Sequence, residues 1–525
     1  MKKLISKVLP LLAAVLALAS CSKEQAAIRL IPEDAAIVMS VDVKQSADIM
    51  GINAESKAVE KIKNFVTKNV NDDDLREKLE AAFDNFDETG IDISQPVYFY
   101  LAADMENFVG LVGSTQSAKK MSTFIDAFAD ESGFDTLSED DGIYYTNIHG
   151  LAVIFNDDWF YFGPVTGDIE EQADHLEDMA ENGKASILKN EDFVKMQEME
   201  GIAKMLVSGK GIQAGIDLLF KGRQGKEIRQ LLKGLPGDLS DIAVIANGVA
   251  EGKEFSGIAQ VLPHSDEWEK AIKEFDAMLG DVSSELTQYM DASSIVALAN
   301  VRGDKLYDII AKAVKAFTKE APQEMLGDIR NIVTSLDGNI GLSLSSISSK
   351  GEPNLFVYLA TKDSTLLNTI REGEDSEDMK LNADGSFMVT KYDWDFDDDT
   401  YELVKGNAKN YTTYGYQNGY TYIVHNEDST QMPFSKPAEP FKAGNVKGKG
   451  FYFRMSYDFY RSLADYNNGF RHEDVINEMT DRIADFGDYV EMYYEGKGKL
   501  TSKGVYKKDL SEMLDLYVTL LAKYM

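Results

Sequence analysis

Short runs of β-branched and aromatic residues alternate along this chain with longer stretches of helical period, and the order of the two recurs. Ala36–Val43 reads as a strand from its length and its valine and isoleucine content. A charged amphipathic helix is predicted from about 55 to 86, with Val59, Ile62, Phe65, Val66 and Val70 near helical spacing. Strands are predicted next over 97–102 and 108–112, then a helix over 116–131. Three further strands over 143–148, 151–156 and 159–163 are separated by Asn-, Gly- and Asp-rich turns.

The second half returns to this order. Asp291-Ala292-Ser293-Ser294-Ile295-Val296 resembles Asp34-Ala35-Ala36-Ile37-Val38. It leads into a helix over 304–319, strands over 339–347 and 354–360, a helix over 364–371, and strands over 386–392, 412–417 and 420–425. Asn156-Asp157-Asp158-Trp159 corresponds to Gln417-Asn418-Gly419-Tyr420, and Asn-Gly between alternating aromatic residues is a strong hairpin signal. A shorter unit also occurs twice. One copy takes residues 185–188, a helical region over 192–233, strands over 241–249 and 255–262 and a helix over 266–278. The other takes a strand over 450–455, helices over 458–484, strands over 488–494 and 499–506 and a helix over 510–523. This order predicts an internal duplication with halves at 28–285 and 286–525. Hairpins joined by helices point to antiparallel sheets with helices packed on one face, hence an α+β fold and not a doubly wound one.

The amino terminus has a different pattern. Lys2, Lys3 and Lys7 precede an apolar run from Leu9 to Leu18, and Leu18-Ala19-Ser20-Cys21 closes it with small residues and the one cysteine of the chain. Residues 1–20 read as a secretory signal peptide, Cys21 as a lipidation site, and residues 21–27 as a polar lipidated tether. The apolar run is far shorter than the ~20 residues of a spanning helix. A single cysteine permits no intramolecular disulfide, so stability has to come from burial. The net charge of −34 becomes three units more negative once the leader's lysines are removed. Such a field repels nucleic-acid phosphates and anionic lipid surfaces, so contact with the membrane is expected only through the lipid.

Reactive chemistry is read mostly by elimination. The five histidines, His149, His175, His264, His425 and His472, have no partners at metal-ligand spacing; His472-Glu473 starts like a zinc motif, but Ile476 stands where the second histidine is required. Gly209-Lys210-Gly211 with Gly215 loosely resembles a dinucleotide fingerprint, yet it falls inside a predicted helical region and is read as a helix break. Asp393-Trp394-Asp395-Phe396-Asp397-Asp398-Asp399 matches the first aspartates of a calcium loop, but Asp398 and Val404 stand where Gly and Glu are needed, so it reads as a solvated acidic loop. Tyr411, Tyr414, Tyr416, Tyr420 and Tyr422 cluster around Asn418-Gly419. With a two-residue turn, Tyr414 and Tyr416 face one side of the hairpin and Tyr420 and Tyr422 the other, one pair in the core.

The lipobox, Ile31-Pro32-Glu33-Asp34-Ala35-Ala36-Ile37-Val38 leading to Asp42-Val43-Lys44, and the later Ser186-Ile187-Leu188 with Asn190-Glu191-Asp192-Phe193 resemble a family of uncharacterised Bacteroidota lipoproteins of about five hundred residues that carry a domain of unknown function. The resemblance implies an outer-membrane lineage, periplasmic-facing or surface-exposed, and brings no catalytic, cofactor or metal residue. The expected role is a non-enzymatic envelope lipoprotein that binds a partner protein or polymer. Two alternatives stand beside it: a surface glycan-binding protein using exposed aromatic residues, and a carboxylate-based hydrolase with its site between the halves.

Overall fold

A computed structural model describes residues 25–512 apart from 54–55, 69–72, 103–108, 133–136, 184, 220–234, 318–322, 349–350, 375–377, 398–401, 428–431, 443–445, 447, 467–472 and 511. Cys21 with its leader, His472 and Asp398-Asp399 therefore lie outside the described residues.

Among the described residues ten strands come from the first half: β1 (Ile37–Val41), β2 (Val97–Leu101), β3 (Val109–Ser114), β4 (Ser138–Asp140), β5 (Ile143–Ile148), β6 (Leu151–Phe155), β7 (Trp159–Pro164), β8 (Ala203–Ser208), β9 (Ile242–Glu251) and β10 (Glu254–Pro263). Ten more follow: β11 (Ile295–Arg302), β12 (Leu336–Ile347), β13 (Pro353–Thr361), β14 (Met379–Leu381), β15 (Phe387–Asp397), β16 (Glu402–Gln417), β17 (Tyr420–Asn426), β18 (Phe451–Ser456), β19 (Gly487–Gly496) and β20 (Lys499–Tyr506). All join one antiparallel sheet. Its spatial order is β4-β5-β6-β7-β3-β2-β1-β8-β9-β10 and then β20-β19-β18-β11-β12-β13-β17-β16-β15-β14.

Every pairing in the first set of ten has its counterpart in the second. The fold is α+β, antiparallel and internally duplicated. The join is β10 against β20, two equivalent strands paired antiparallel with Gly257 opposite Ser502. A strand paired with its own counterpart in this way makes a local two-fold axis, the geometry of a symmetric dimer inside one chain.

Equivalent backbone bonds mark the repeat closely. Ser208 N–H donates to Ala36 O and Ser456 N–H to Ser294 O; Thr115 N–H donates to Asp158 O and Thr361 N–H to Gly419 O. Side chains have moved within this frame. Tyr98 and Tyr100 on β2 face Val112 and Gly110 on β3, whereas Gly341 and Ser343 on β12 face Tyr358 and Phe356 on β13. The bulk has crossed to the neighbouring strand, which keeps the layer filled.

Near the β4 edge the helical cover reaches both faces. Trp159 and Tyr161 enter a core with Val38, Tyr98, Tyr100 and the helix Ile169–Asn182. Phe160, with Val153 and Phe155, turns to the opposite face against Ala118, Met121 and Ile125 of the helix Ala118–Ser132.

Several expectations need correction. The helical region over 192–233 contains β8: the helix Glu191–Gln197 ends before it and the helix Gly209–Leu219 begins directly after. The strand equivalent to 451–456 is thus 203–208, while within 185–188 Ser186 makes one bridge to Pro32 and leads into a short 3-10 turn, Ile187–Lys189. Ala-Lys-Met-Leu favours helix locally, but β1 and β9 flank this segment and capture it as a strand. The segment from 55 to 86 is two helices, Lys57–Lys68 and Asp73–Asp84, and an unanticipated helix, Gln323–Ser335, precedes β12. Asp393–Asp397 is no loop: it continues β15 and pairs with β16.

Candidate functional site

A cavity of about 1240 Å³ opens in the first half on the face that carries Tyr100 and Tyr161. Its floor is aromatic and lies flat. Tyr100 rests over Gly110 and Tyr161 over Gly163, at both of which a Cβ would collide with the tyrosine. Both rings are themselves covered by Ala173 and Leu176 and present little surface to the cavity. Leu176 and Met179 of the helix Ile169–Asn182 form one wall, and Leu30 with Pro32 to Ala35 forms another.

The wall helix is held by its ends. Asp168 accepts from the backbone N–H groups of Glu170 and Glu171, and Gly183 closes the other end in the left-handed region at φ 57°. Gln172 accepts from Thr166 N–H at 3.1 Å and donates to Pro164 O at 3.1 Å. Arg29 Nη1 donates to Ala180 O at 2.9 Å, tying the helix to the amino-terminal segment. Ser186 and Asn190 cap the turn and helix that follow: Asn190 Oδ1 accepts from the N–H of Asp192 and of Phe193. The family-like residues around 186–193 are therefore caps that shape the cavity.

Burial pushes the Tyr161 hydroxyl up to about 12, and it raises Tyr100 still further, with Tyr161 beside it adding to the effect. Tyr100 and Gln172 stand near enough to temper the Tyr161 shift, but the buried Tyr161 oxygen makes no hydrogen bond of normal geometry. The rim carries Glu33, Asp34, Glu171 and Asp192 against Lys210, His175 and His264. His264 Nε2 lies 2.8 Å from Asp192 Oδ2. The Asp192 residue is 8% exposed, and its Oδ1 has no hydrogen-bond partner, with Lys195 Nζ 3.5 Å away as an ion pair.

The same face of the second half is filled. Phe434 projects from the connection between β17 and β18 into four tyrosines, at ring-centroid distances of 5.3 Å from Tyr289, 5.0 Å from Tyr358, 6.2 Å from Tyr420 and 6.1 Å from Tyr422. Its N–H donates to Tyr358 Oη at 3.3 Å. By sheet register Tyr422 is the counterpart of Tyr161, since each pairs with the equivalent residue on β3 or β13, Val112 or Tyr358.

The residues singled out from sequence scatter. His175 and His264 reach the cavity, His149 occupies a turn at φ 52°, and His425 sits on β17. His425 Nδ1 meets Thr412 Oγ1 at 2.8 Å and its Nε2 meets Glu352 Oε2 at 3.4 Å. That hydroxyl–imidazole–carboxylate chain is a structural network, because Lys409 and Asn410 already hold Glu352 at 2.8 and 2.7 Å.

Gly209-Lys210-Gly211 does follow a strand, contrary to expectation, and lines the cavity. Its glycines serve packing, with Gly209 against Leu239 O and Gly211 against Ala36 O. Among the described residues no group of three or more His, Cys, Asp or Glu is placed to hold a metal. Tyr420 and Tyr422 are core, and Tyr414 stacks on Phe387 at 4.9 Å, a cross-strand stabiliser. Sequence reasoning missed Tyr100, Tyr161 and Asp192; Gly110 and Gly163 beneath the tyrosines were the available signal.

Residues 28–213 match a family described as a domain of unknown function (DUF4836). The match covers the cavity's walls and floor up to Lys210. No curated protein matches the chain. Crystal form I of TP0453 is similar over 49% of this chain and 88% of that one, at 11% identity and a TM-score of 0.28. Crystal form III is similar over the same shares, at 12% identity and a TM-score of 0.29. Likeness at this level says nothing about function. Among the described residues, no helix is long and apolar enough to cross a membrane.

Proposed function

We propose that this chain is a lipid-tethered outer-membrane protein, periplasmic-facing or surface-exposed, that works by binding a ligand or partner in the first-half cavity. One observation carries the binding reading: where the second half packs Phe434 among four tyrosines, the first half has an open cavity of about 1240 Å³. Two copies of one scaffold, one filled and one hollow, argue that the hollow is selected and not a packing accident.

Binding fits the lining better than catalysis. The Ser208 hydroxyl, a nucleophile by residue type, is committed as donor to Ala36 O and acceptor from Gly211 N–H. The tether rests on Leu18-Ala19-Ser20-Cys21. Intact-mass analysis of the native protein is expected to show a terminus at Cys21 carrying acyl chains; an unacylated or downstream start overturns the tether. A melting-temperature screen against small amphipathic molecules and peptides is expected to find ligands that stabilise the wild type but not Ala243→Phe, which fills the cavity. Equal shifts in both proteins overturn the binding site.

A further inference from the structure

A second hollow, on the opposite face of the first-half strands, differs in kind from the cavity. It holds about 420 Å³ between Leu79 and Phe83 of the helix Asp73–Asp84 and Phe124 of the helix Ala118–Ser132, over Val153 and Phe162. Phe86 and Leu151 also line it and are 42% and 43% exposed, so it opens to solvent. Thr89 supplies its one polar side chain among the described residues. That hydroxyl already donates to Phe86 O at 2.7 Å and accepts from Ile91 N–H at 3.3 Å. The strands beneath offer no free edge, since β6 and β7 are each paired on both sides. A peptide or sugar placed here would bury polar groups without partners; hydrocarbon has none to bury. By register the apolar floor continues as a row, Val153–Phe162–Leu111–Phe99–Met39–Met205, from β6 across β7, β3, β2 and β1 to β8. Phe99 and Met39 are 38% and 39% exposed. At about 4.8 Å per strand the row spans roughly 24 Å, close to the length of an extended palmitoyl chain. Phe124 also lines an adjoining hollow where Lys78, Lys119 and Lys120 gather, with Glu88 as its one carboxylate among the described residues. In a chain with 88 acidic and 54 basic residues this is a local reversal of charge.

We infer that this face binds a long-chain fatty acid, its hydrocarbon along the apolar row and its carboxylate among the lysines beside Phe124. Lys119 is exposed and makes no ion pair among the described residues. Lys120 meets Glu88 at 3.2 Å in an exposed pair of the kind that contributes little, so a ligand carboxylate can take its place. The site does not rest on the cavity, because Val153 and Phe162 face away from Tyr161.

The test is a fluorescence titration with cis-parinarate, displaced by palmitate, laurate or dodecanol, all below their micelle-forming concentrations. The full chain carries Cys21→Ser, so that no attached acyl chain competes. Saturable binding is expected, with laurate at least about tenfold weaker than palmitate because it buries fewer methylenes. Lys119→Glu should weaken laurate about three- to tenfold at low salt, less as salt rises, and leave dodecanol unchanged. Leu151→Asp, an exposed change checked for an unchanged melting profile, should weaken all three ligands at least about tenfold. Ala243→Phe, on the cavity face, should change nothing. No saturable binding overturns the inference, as does indifference to both Lys119→Glu and Leu151→Asp. Loss of binding in Ala243→Phe would put the fatty acid in the cavity and overturn this site while the binding reading stands. Two other results overturn it by naming another occupant. Association with phosphatidylglycerol vesicles without palmitate binding would make the face a membrane contact, and a dimer dispersed by Leu151→Asp would make it a contact between copies.

Discussion

Tyr161→Phe and Tyr358→Phe are the same chemical change at buried tyrosines of the two halves, and the structure predicts opposite signs. Tyr161 is 1% exposed and its hydroxyl has no hydrogen-bond partner. An unsatisfied buried polar group costs about 1–3 kcal/mol. Tyr100 and Gln172 stand close enough to recover part of this, so Tyr161→Phe is expected to stabilise by about 1 kcal/mol. The void left by one buried oxygen is small and offsets only part of the gain. Tyr358 is equally buried, but its hydroxyl accepts from Phe434 N–H. Removing it orphans that donor and should destabilise by about 0.5–1.5 kcal/mol. Urea unfolding with hydrogen exchange followed separately in β6–β7 and β13–β17 reads each half on its own. Should Tyr161→Phe destabilise as Tyr358→Phe does, the hydroxyl is already satisfied and the hollow loses its polar floor.

Phe434→Ala should destabilise the second half by about 2–3 kcal/mol, below the full Phe→Ala range because the residue is only half-buried, and denaturation with probes in β13 and β17 would show it. Gly209→Ala places a Cβ into Leu239 O and should destabilise by about 2–3 kcal/mol. Gly215→Ala in the same helix meets nothing within 4 Å and should stabilise by about 0.5–1 kcal/mol; equal effects would show that the close approach at Gly209 is not the cause. At Glu352 burial works to raise the pKa, but Lys409 with His425 and Lys391 overrides it and holds the carboxyl below its ordinary value. A depressed folded pKa means stability present above about pH 4.3 and lost as pH falls below it. Glu352→Gln should therefore flatten acid unfolding between about pH 3 and 5, and an unchanged slope would refute the assignment.

The frame was legible where sequence signals are local. Asn418-Gly419 marked its hairpin, and both sides face as alternation requires: Tyr420 and Tyr422 inward, Tyr414 and Tyr416 on the other side. The start of each half was legible because Asp34–Val38 and Asp291–Val296 share a turn that feeds a strand. The strand β8 was not, since Ala203–Ser208 carries helix-favouring residues and becomes a strand only through β1 and β9, far away in sequence. The cavity was illegible for a related reason. Its floor depends on Tyr100 lying over Gly110 and Tyr161 over Gly163, and Asp192 meets His264 from 72 residues away. A glycine in a strand says that something lies close, but not what.

Joining two copies in one chain explains how such a hollow is sustained. In a symmetric dimer of identical subunits a change on one face appears on both. Fused through β10 and β20, the halves have diverged: the residues between β7 and β8 include two helices beside a cavity, while those between β17 and β18 send Phe434 into its tyrosines. The filled half has the satisfied tyrosine and the aromatic cluster. The open half has a buried hydroxyl without a hydrogen bond and the empty volume, each of which lowers stability. The continuous hydrogen-bonded sheet links the two, so the packed half can offset what the open half lacks. It follows that loosening the join should harm the open half first. Gly257→Val, which sets a side chain against Asn247 O at the two-fold axis, should speed hydrogen exchange in β8 and β9 before β18 and β19. Equal acceleration in both halves would mean that each stands on its own core, and the stability of the hollow would need another source.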